Sequence, residues 1–305
     1  KFDVDLSLGA RKIVNHFEEF KISLSAIAEL SDIKFERVLP VFKINNNPKI
    51  VADEVRKLIN AEFKDKPKEF LTELIKKLAE KNILVFEFVE TWNKKETANI
   101  DGFFLKPNVI VLKRQQISFK REVFTLAHEL GHYLLEEEEI DQIDYQNLAN
   151  QNLSKIENWC NDFAYYFLIN EFEKIVENIE NSTPHNDYNI DLIKSISAKT
   201  HLSKMAIFTK LLLLNKISPV NYKKVKNEFE EEFRLVQDKI KKQRELDKQN
   251  GINGGGSTPI PIKSPLLVST IQTAFYEGVI NEYEFCKKLN IKPDKIDSFL
   301  YESSN

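Results

Sequence analysis

An α+β fold made mostly of helix follows from three features of this 305-residue sequence. Long stretches repeat apolar residues three and four apart, the period of an amphipathic helix. Only three short segments are rich in β-branched and aromatic residues, as strands are. Two of these are separated by Lys106-Pro107-Asn108, a good turn sequence. The expectation is a small antiparallel sheet flanked by helical modules.

Taken in order, residues 1–63 carry short helical patterns. Pro67 to Lys81 predicts an amphipathic helix with Phe70, Leu71, Leu74, Leu78 and Ala79 inward. Ile83 to Val89 predicts a buried strand, and Gly102–Leu105 with Val109–Leu112 a hairpin. A helix follows Ser118, a suitable N-cap, and another covers Ile156 to Asn170. Ile190 to Leu213 predicts two helices with a turn near Thr200-His201-Leu202, and His201 is expected at the surface. Asn221 to Gln249 is a charged helix with sparse apolar positions. Gly251 to Pro265 is Gly-rich, then Pro-rich, and marks a linker before a small helical unit. The expected division is 1–63, a core at 64–185, 186–249, and 250–305.

The chemistry concentrates in FTLAHELGHYLL, Phe124 to Leu135. His128-Glu129-Leu130-Gly131-His132 is the H-E-x-x-H pattern of zinc peptidases. Residues four apart share a helix face, so both imidazoles can reach one metal at about 2.0–2.1 Å. Glu129 sits about 100° round the helix, beside the ligand axis, where a carboxylate can hold a water. A helix with two satisfied core histidines would show the same spacing. What argues against that is a third candidate ligand 25 residues downstream of His132, Glu157, in IENWCNDFAYYFLIN. Asn161, four residues on, can accept a hydrogen bond from the non-ligating nitrogen of a bound histidine and so fix its tautomer. Cys160 is either a soft competing ligand or a small buried residue.

These two segments together resemble the ImmA/IrrE metallopeptidases of bacteria and their mobile elements, prophages among them. The resemblance extends from about Ala52 to Asn227. It implies a minimal zincin-like domain in which His128, His132 and Glu157 bind Zn2+ and Glu129 is the catalytic base. Trp159-Cys160 departs from the family, which usually has a polar residue and an alanine there. The resemblance implies hydrolysis of a peptide bond in one regulatory protein, a transcriptional repressor, through zinc-activated water and a glutamate general base. In such a domain a peptide can lie along an exposed sheet edge, which here is the hairpin at 102–112. The oxyanion of that reaction needs a further donor, for which His185, Tyr165 and Tyr188 are candidates.

A DNA-binding regulator with a sensory zinc site is the alternative. Residues 23–39, SLSAIAELSDIKFERVL, resemble a degenerate helix-turn-helix of the phage-repressor type, with Asp32 in place of the turn glycine and Pro40 close behind. Acidic and basic side chains balance across residues 1–65, so the electrostatic footprint of DNA binding is missing. His16 reads as a plain helix residue.

Composition excludes several classes. Charged residues are 30% and apolar residues 42%, as in ordinary globular chains. A net charge of −3 gives no global basic field for nucleic acid or membrane. Cys160 and Cys286 are too few for a disulfide framework, and no apolar run approaches membrane-spanning length. A cytoplasmic protein is the expectation. The acidic run Glu136 to Glu139, extended by Asp141, reads as a solvated loop face.

Overall fold

The computed structural model describes residues 6–89, 97–114, 118–139, 153–181, 189–250 and 259–302. The chain is mostly helical with one small mixed sheet. It divides into two compact units. The first is drawn from Lys1–Ile143, Ser154–Phe167 and Pro261–Asn305, the second from Asp144–Leu153 and Leu168–Ile260.

The first unit opens with α1 (Leu8–Leu30), capped by Ser7, whose side chain accepts from the Ala10 amide. An extended segment leads to α2 (Pro48–Ile59) and α3 (Pro67–Ala79), each starting on a proline, whose missing N–H costs nothing there. The three strands are β1 (Leu84–Val89), β2 (Gly102–Leu105) and β3 (Val109–Arg114). They lie in the order β1-β3-β2. β2 and β3 pair antiparallel as a hairpin, Gly102 opposite Leu112 and Leu105 opposite Val109.

Three expectations need correction. The sheet is not purely antiparallel, because β1 pairs with β3 in parallel, Leu84 opposite Val109 and Val89 opposite Arg114. β2 runs opposite to β1 but leaves room between them, and β3 returns into that space in the direction of β1. The N-terminal helix-turn-helix is absent as well. α1 is one continuous helix through Leu30, Asp32 makes the turn at φ 49°, and residues 33–47 contain no second helix. Asp tolerates that left-handed backbone, and an extended strap leads from it towards Pro48. Finally, His201 is buried, not superficial. It closes the C-terminus of its helix at φ 58°, which turns the chain inward at that point.

One face of the sheet, with Leu84, Phe86, Phe103, Leu105, Val109 and Val111, joins the main core cluster. α1 packs there through Val14, Phe17 and Leu24, the Phe17 ring stacking on Phe86 at 5.6 Å. The same core takes in α10 (Pro265–Tyr276), α11 (Glu282–Leu289) and α12 (Ile296–Glu302) through Leu267, Ile271, Phe285, Leu289 and Ile296. The opposite face rests on α4 (Phe119–Leu135), which also touches α3. α5 (Lys155–Ile169) completes the site-bearing part.

The second unit holds α6 (Glu173–Glu177), α7 (Ile190–Thr200), α8 (Lys204–Leu213) and α9 (Pro219–Gln249). Ile193, Ile196, Ile207, Phe208 and Val225 are among its buried apolar residues. Among the described residues, no helix is long and apolar enough to cross a membrane.

Candidate metal centre

α4 is buried from Glu122 to Leu135, so its histidines lie inside the first unit. The helix is fixed at both ends. Ser118 caps the start, accepting from the Arg121 amide, and Arg121 in turn bonds Asp101 at the head of the hairpin. At the other end Arg37, from the extended strap, donates to the Tyr133 carbonyl at 2.9 Å and lies over the Tyr133 ring at 4.0 Å. Phe42 N–H donates to the Leu134 carbonyl at 2.9 Å. These donors satisfy carbonyls that a helix C-terminus otherwise leaves without partners, and the guanidinium suits the negative end of the dipole.

α5 is held as firmly. Ser154 Oγ accepts from the Glu157 amide at 3.0 Å and donates to Glu139 at 2.7 Å. Glu157 therefore occupies the first turn, where the helix dipole favours a carboxylate. Trp159 donates to the Asn46 carbonyl at 2.8 Å, and Arg56 of α2 donates to the carbonyls of Tyr166 and Phe167. The two helices approach closely at Gly131. A Cβ there would lie 3.2 Å from the Cys160 backbone and 3.1 Å from its Sγ. That contact is why the motif carries glycine at this position and why a small residue faces it.

The approach brings His128, His132 and Glu157 together, with one ligand atom of each within 4.8 Å of the others. Nε2 of His128 lies 3.1 Å from Nε2 of His132. Glu157 reaches them at 3.2 and 3.0 Å through its two oxygens. All three side chains are almost completely buried. Nδ1–H of His128 donates to Asn161 Oδ1 at 3.0 Å, which leaves Nε2 as the lone-pair nitrogen facing the cluster. Glu129 is buried on the adjoining face, and its Oε2 has no hydrogen-bond partner.

The electrostatics ask for a cation. Burial pushes the Glu129 carboxyl up to about 8; His132 lowers it, while Glu157 and Asp101 add to the rise. Burial also acts to raise Glu157, but His128 and His132, which carry charge and donate to it when protonated, outweigh burial and hold that carboxyl below the ordinary range. A tetrahedral zinc with bonds near 2.05 Å separates its ligands by about 3.3 Å, close to the distances found here. Two imidazoles and one carboxylate are also a donor set that leaves one zinc position open, so these residues fit the metal.

The remaining sequence candidates fare differently. Cys160 is buried against Gly131 with its thiol pushed upward by burial, and its sulfur is not part of the ligand cluster. Tyr165 is buried two turns beyond Glu157 on α5, edge-on to Tyr166. His185 and Tyr188 lie outside the described residues. His16 is exposed on α1.

Two contributors escaped the sequence reading. Gly102, at the start of β2, lets the sheet close on α4. A Cβ there would meet Thr125 Cγ2 at 2.6 Å, the Val111 carbonyl at 3.0 Å and Glu129 Oε1 at 3.2 Å. A glycine inside a strand pattern is the signal that could have found it. Arg37, on the extended strap, had no local signal at all.

Residues 79–207, from the end of α3 into α8, match the family model of the IrrE N-terminal-like domain, a peptidase family. This span is similar to that family. The IrrE N-terminal-like domain covers less than half of the chain and contains the whole His128–His132–Glu157 cluster. No curated protein matches the chain.

Proposed function

We propose that this chain is a zinc-dependent endopeptidase. The observation that carries the reading is the convergence of His128, His132 and Glu157 beside a buried Glu129 with an unpartnered oxygen, inside a peptidase-family domain. His128, His132 and Glu157 hold the metal, and Asn161 orients His128 through its Nδ1–H. Zinc, when bound, polarises a scissile carbonyl and lowers the pKa of a water towards about 7. Positive charge among the three ligands would favour the ionised form of the Glu129 carboxyl, against the burial that raises it. Glu129 then takes a proton from the attacking water and delivers it to the departing amine nitrogen.

β2 is where the resemblance would lay a peptide, yet all four of its residues are buried, Phe104 to 0% exposure. It is an edge strand, and its first residue lies against the face of α4 that carries Glu129. Because the Asp101 carbonyl bonds Lys113 on β3, the alternate residues Gly102 and Phe104 turn their backbone groups away from the sheet. Both residues are buried, so those groups offer no open edge to a substrate strand in this structure.

The substrate is a regulatory protein, with a transcriptional repressor as the class that the resemblance to IrrE-type proteins supports. DNA binding by the chain itself has less support. The N-terminal region has no second helix after its turn, and α8 buries Ile207 through Leu211. Metal analysis of the purified chain tests the site. One zinc per chain is expected in the wild type and in Glu129→Gln, and none in His132→Ala. Full zinc retention in His132→Ala overturns the ligand assignment.

A further inference from the structure

α9 is anchored at its start and bare beyond. Tyr222, Val225 and Phe229 pack on α8, with the Tyr222 hydroxyl 3.0 Å from Thr209 and the Phe229 ring 5.8 Å from Phe208. From Glu230 to Leu246, about 25 Å of helix, nearly every residue is exposed. Helices in proteins draw most of their stability from packing an amphipathic face, so this stretch wants a face to pack.

The sequence supplies one. At 100° per residue, Phe229, Phe233, Val236 and Ile240 fall within a narrow arc and continue the buried stripe of Val225 into solvent. Phe233, Val236 and Ile240 are 47, 51 and 40% exposed. These are large apolar groups at the spacing of a helix–helix seam.

The charges beside the stripe name the occupant. Glu228, Glu230, Glu231 and Glu232 form an acidic block, and Lys239, Lys241, Lys242 and Arg244 a basic one, with Val236 midway between them. A second copy laid in the same direction sets acid against acid and base against base. A copy laid in the opposite direction sets each acidic block against a basic one, with Phe233 near Ile240 across the seam. In that arrangement the flanks also match: Glu228 and Glu232 lie on the same side of the stripe as Lys239, and Glu230 on the same side as Arg244. The Lys204–Glu232 ion pair at 3.3 Å is a surface contact that costs little to rearrange.

We propose that the outer half of α9 pairs antiparallel with the same segment of a second copy of the chain, about a two-fold axis near Val236. The seam is short, so association is concentration-dependent rather than permanent.

Sedimentation of the full chain over a wide concentration range tests this. A species of about twice 35.6 kDa is expected to grow with concentration. The Val236→Glu, Ile240→Glu double variant is expected to stay monomeric, with unchanged circular dichroism and zinc content showing that its fold is intact. Orientation is read from cysteines at Glu230 and Arg244, since the chain's own two cysteines are buried. Glu230→Cys and Arg244→Cys are expected to form a disulfide when mixed, and neither with itself. A chain that is monomeric at every concentration overturns the proposal. So does a dimer that survives the double variant, or self-linking at either single position.

Discussion

At the scale of single residues, the proposed mechanism makes Glu129 separate chemistry from metal binding. Its Oε2 has no hydrogen-bond partner and it is not one of the three clustered ligands, so Glu129→Gln is expected to retain zinc and lose about 10²–10⁴-fold in kcat. Undiminished turnover in that variant would remove Glu129 from the reaction. Gly102 acts at one remove. Gly102→Ala drives a methyl into Thr125 and the Val111 carbonyl and presses on Glu129. A loss of about 1–3 kcal/mol of stability is expected, with kcat reduced and zinc retained. Wild-type kcat and denaturation midpoint in the alanine variant would show that the close approach has no consequence. The H-E-x-x-H spacing made His128, Glu129 and His132 legible, because four residues of helix are a fixed geometry. Arg37 was not legible, since its value depends on where an extended strap happens to meet the end of α4.

Among elements, helices read well and pairings poorly. α3, α4 and α5 follow from apolar period, with Ser118 marking the start of α4, and Gly131 fixes how near α4 and α5 can come. The direction of β1 was not in the pattern, because a fully buried strand looks alike in parallel and antiparallel sheets. The junction of sheet and α4 holds a buried ionic group that no local motif announced. Arg114 on β3 bonds Glu122 of α4 at 2.8 and 3.1 Å and lies 3.6 Å from Glu87 of β1, whose carboxylate also accepts from the Ile262 amide. Arg114→Met strands two buried carboxyls and is expected to cost about 3–5 kcal/mol, read as a lower denaturant midpoint. A midpoint equal to the wild type's would show that the group adds nothing.

Glu87 also makes stability depend on pH. Burial pushes its carboxyl up to about 7, against the lowering effects of Ile262 and Arg114. Between its ordinary value of 4.5 and about 7 the folded chain therefore binds more protons than the unfolded one. This group's contribution is accordingly fully present below about 4.5 and is lost as pH rises through about 7, by at most about 3 kcal/mol. Glu87→Gln is expected to flatten that part of the stability profile, and identical slopes in both proteins would exclude the effect.

At the scale of the whole chain, α1 and the helices from Pro265 onward share one core with the sheet, although 234 residues separate Leu30 from Pro265. Apolar period shows that such helices bury a face, but not which distant face they meet. The second unit presents the reverse case, where the apolar stripe of α9 is plain in the sequence and only the structure shows that it continues past its packing on α8. The candidate metal centre lies wholly in the first unit. Selective peptide hydrolysis by that centre is tested most directly by comparing new protein N-termini in cells expressing the wild type with those in cells expressing Glu129→Gln. A small set of fragments found only with the wild type is expected, and would name the substrate. Identical sets, from wild-type protein shown to carry its zinc, would contradict a hydrolytic role.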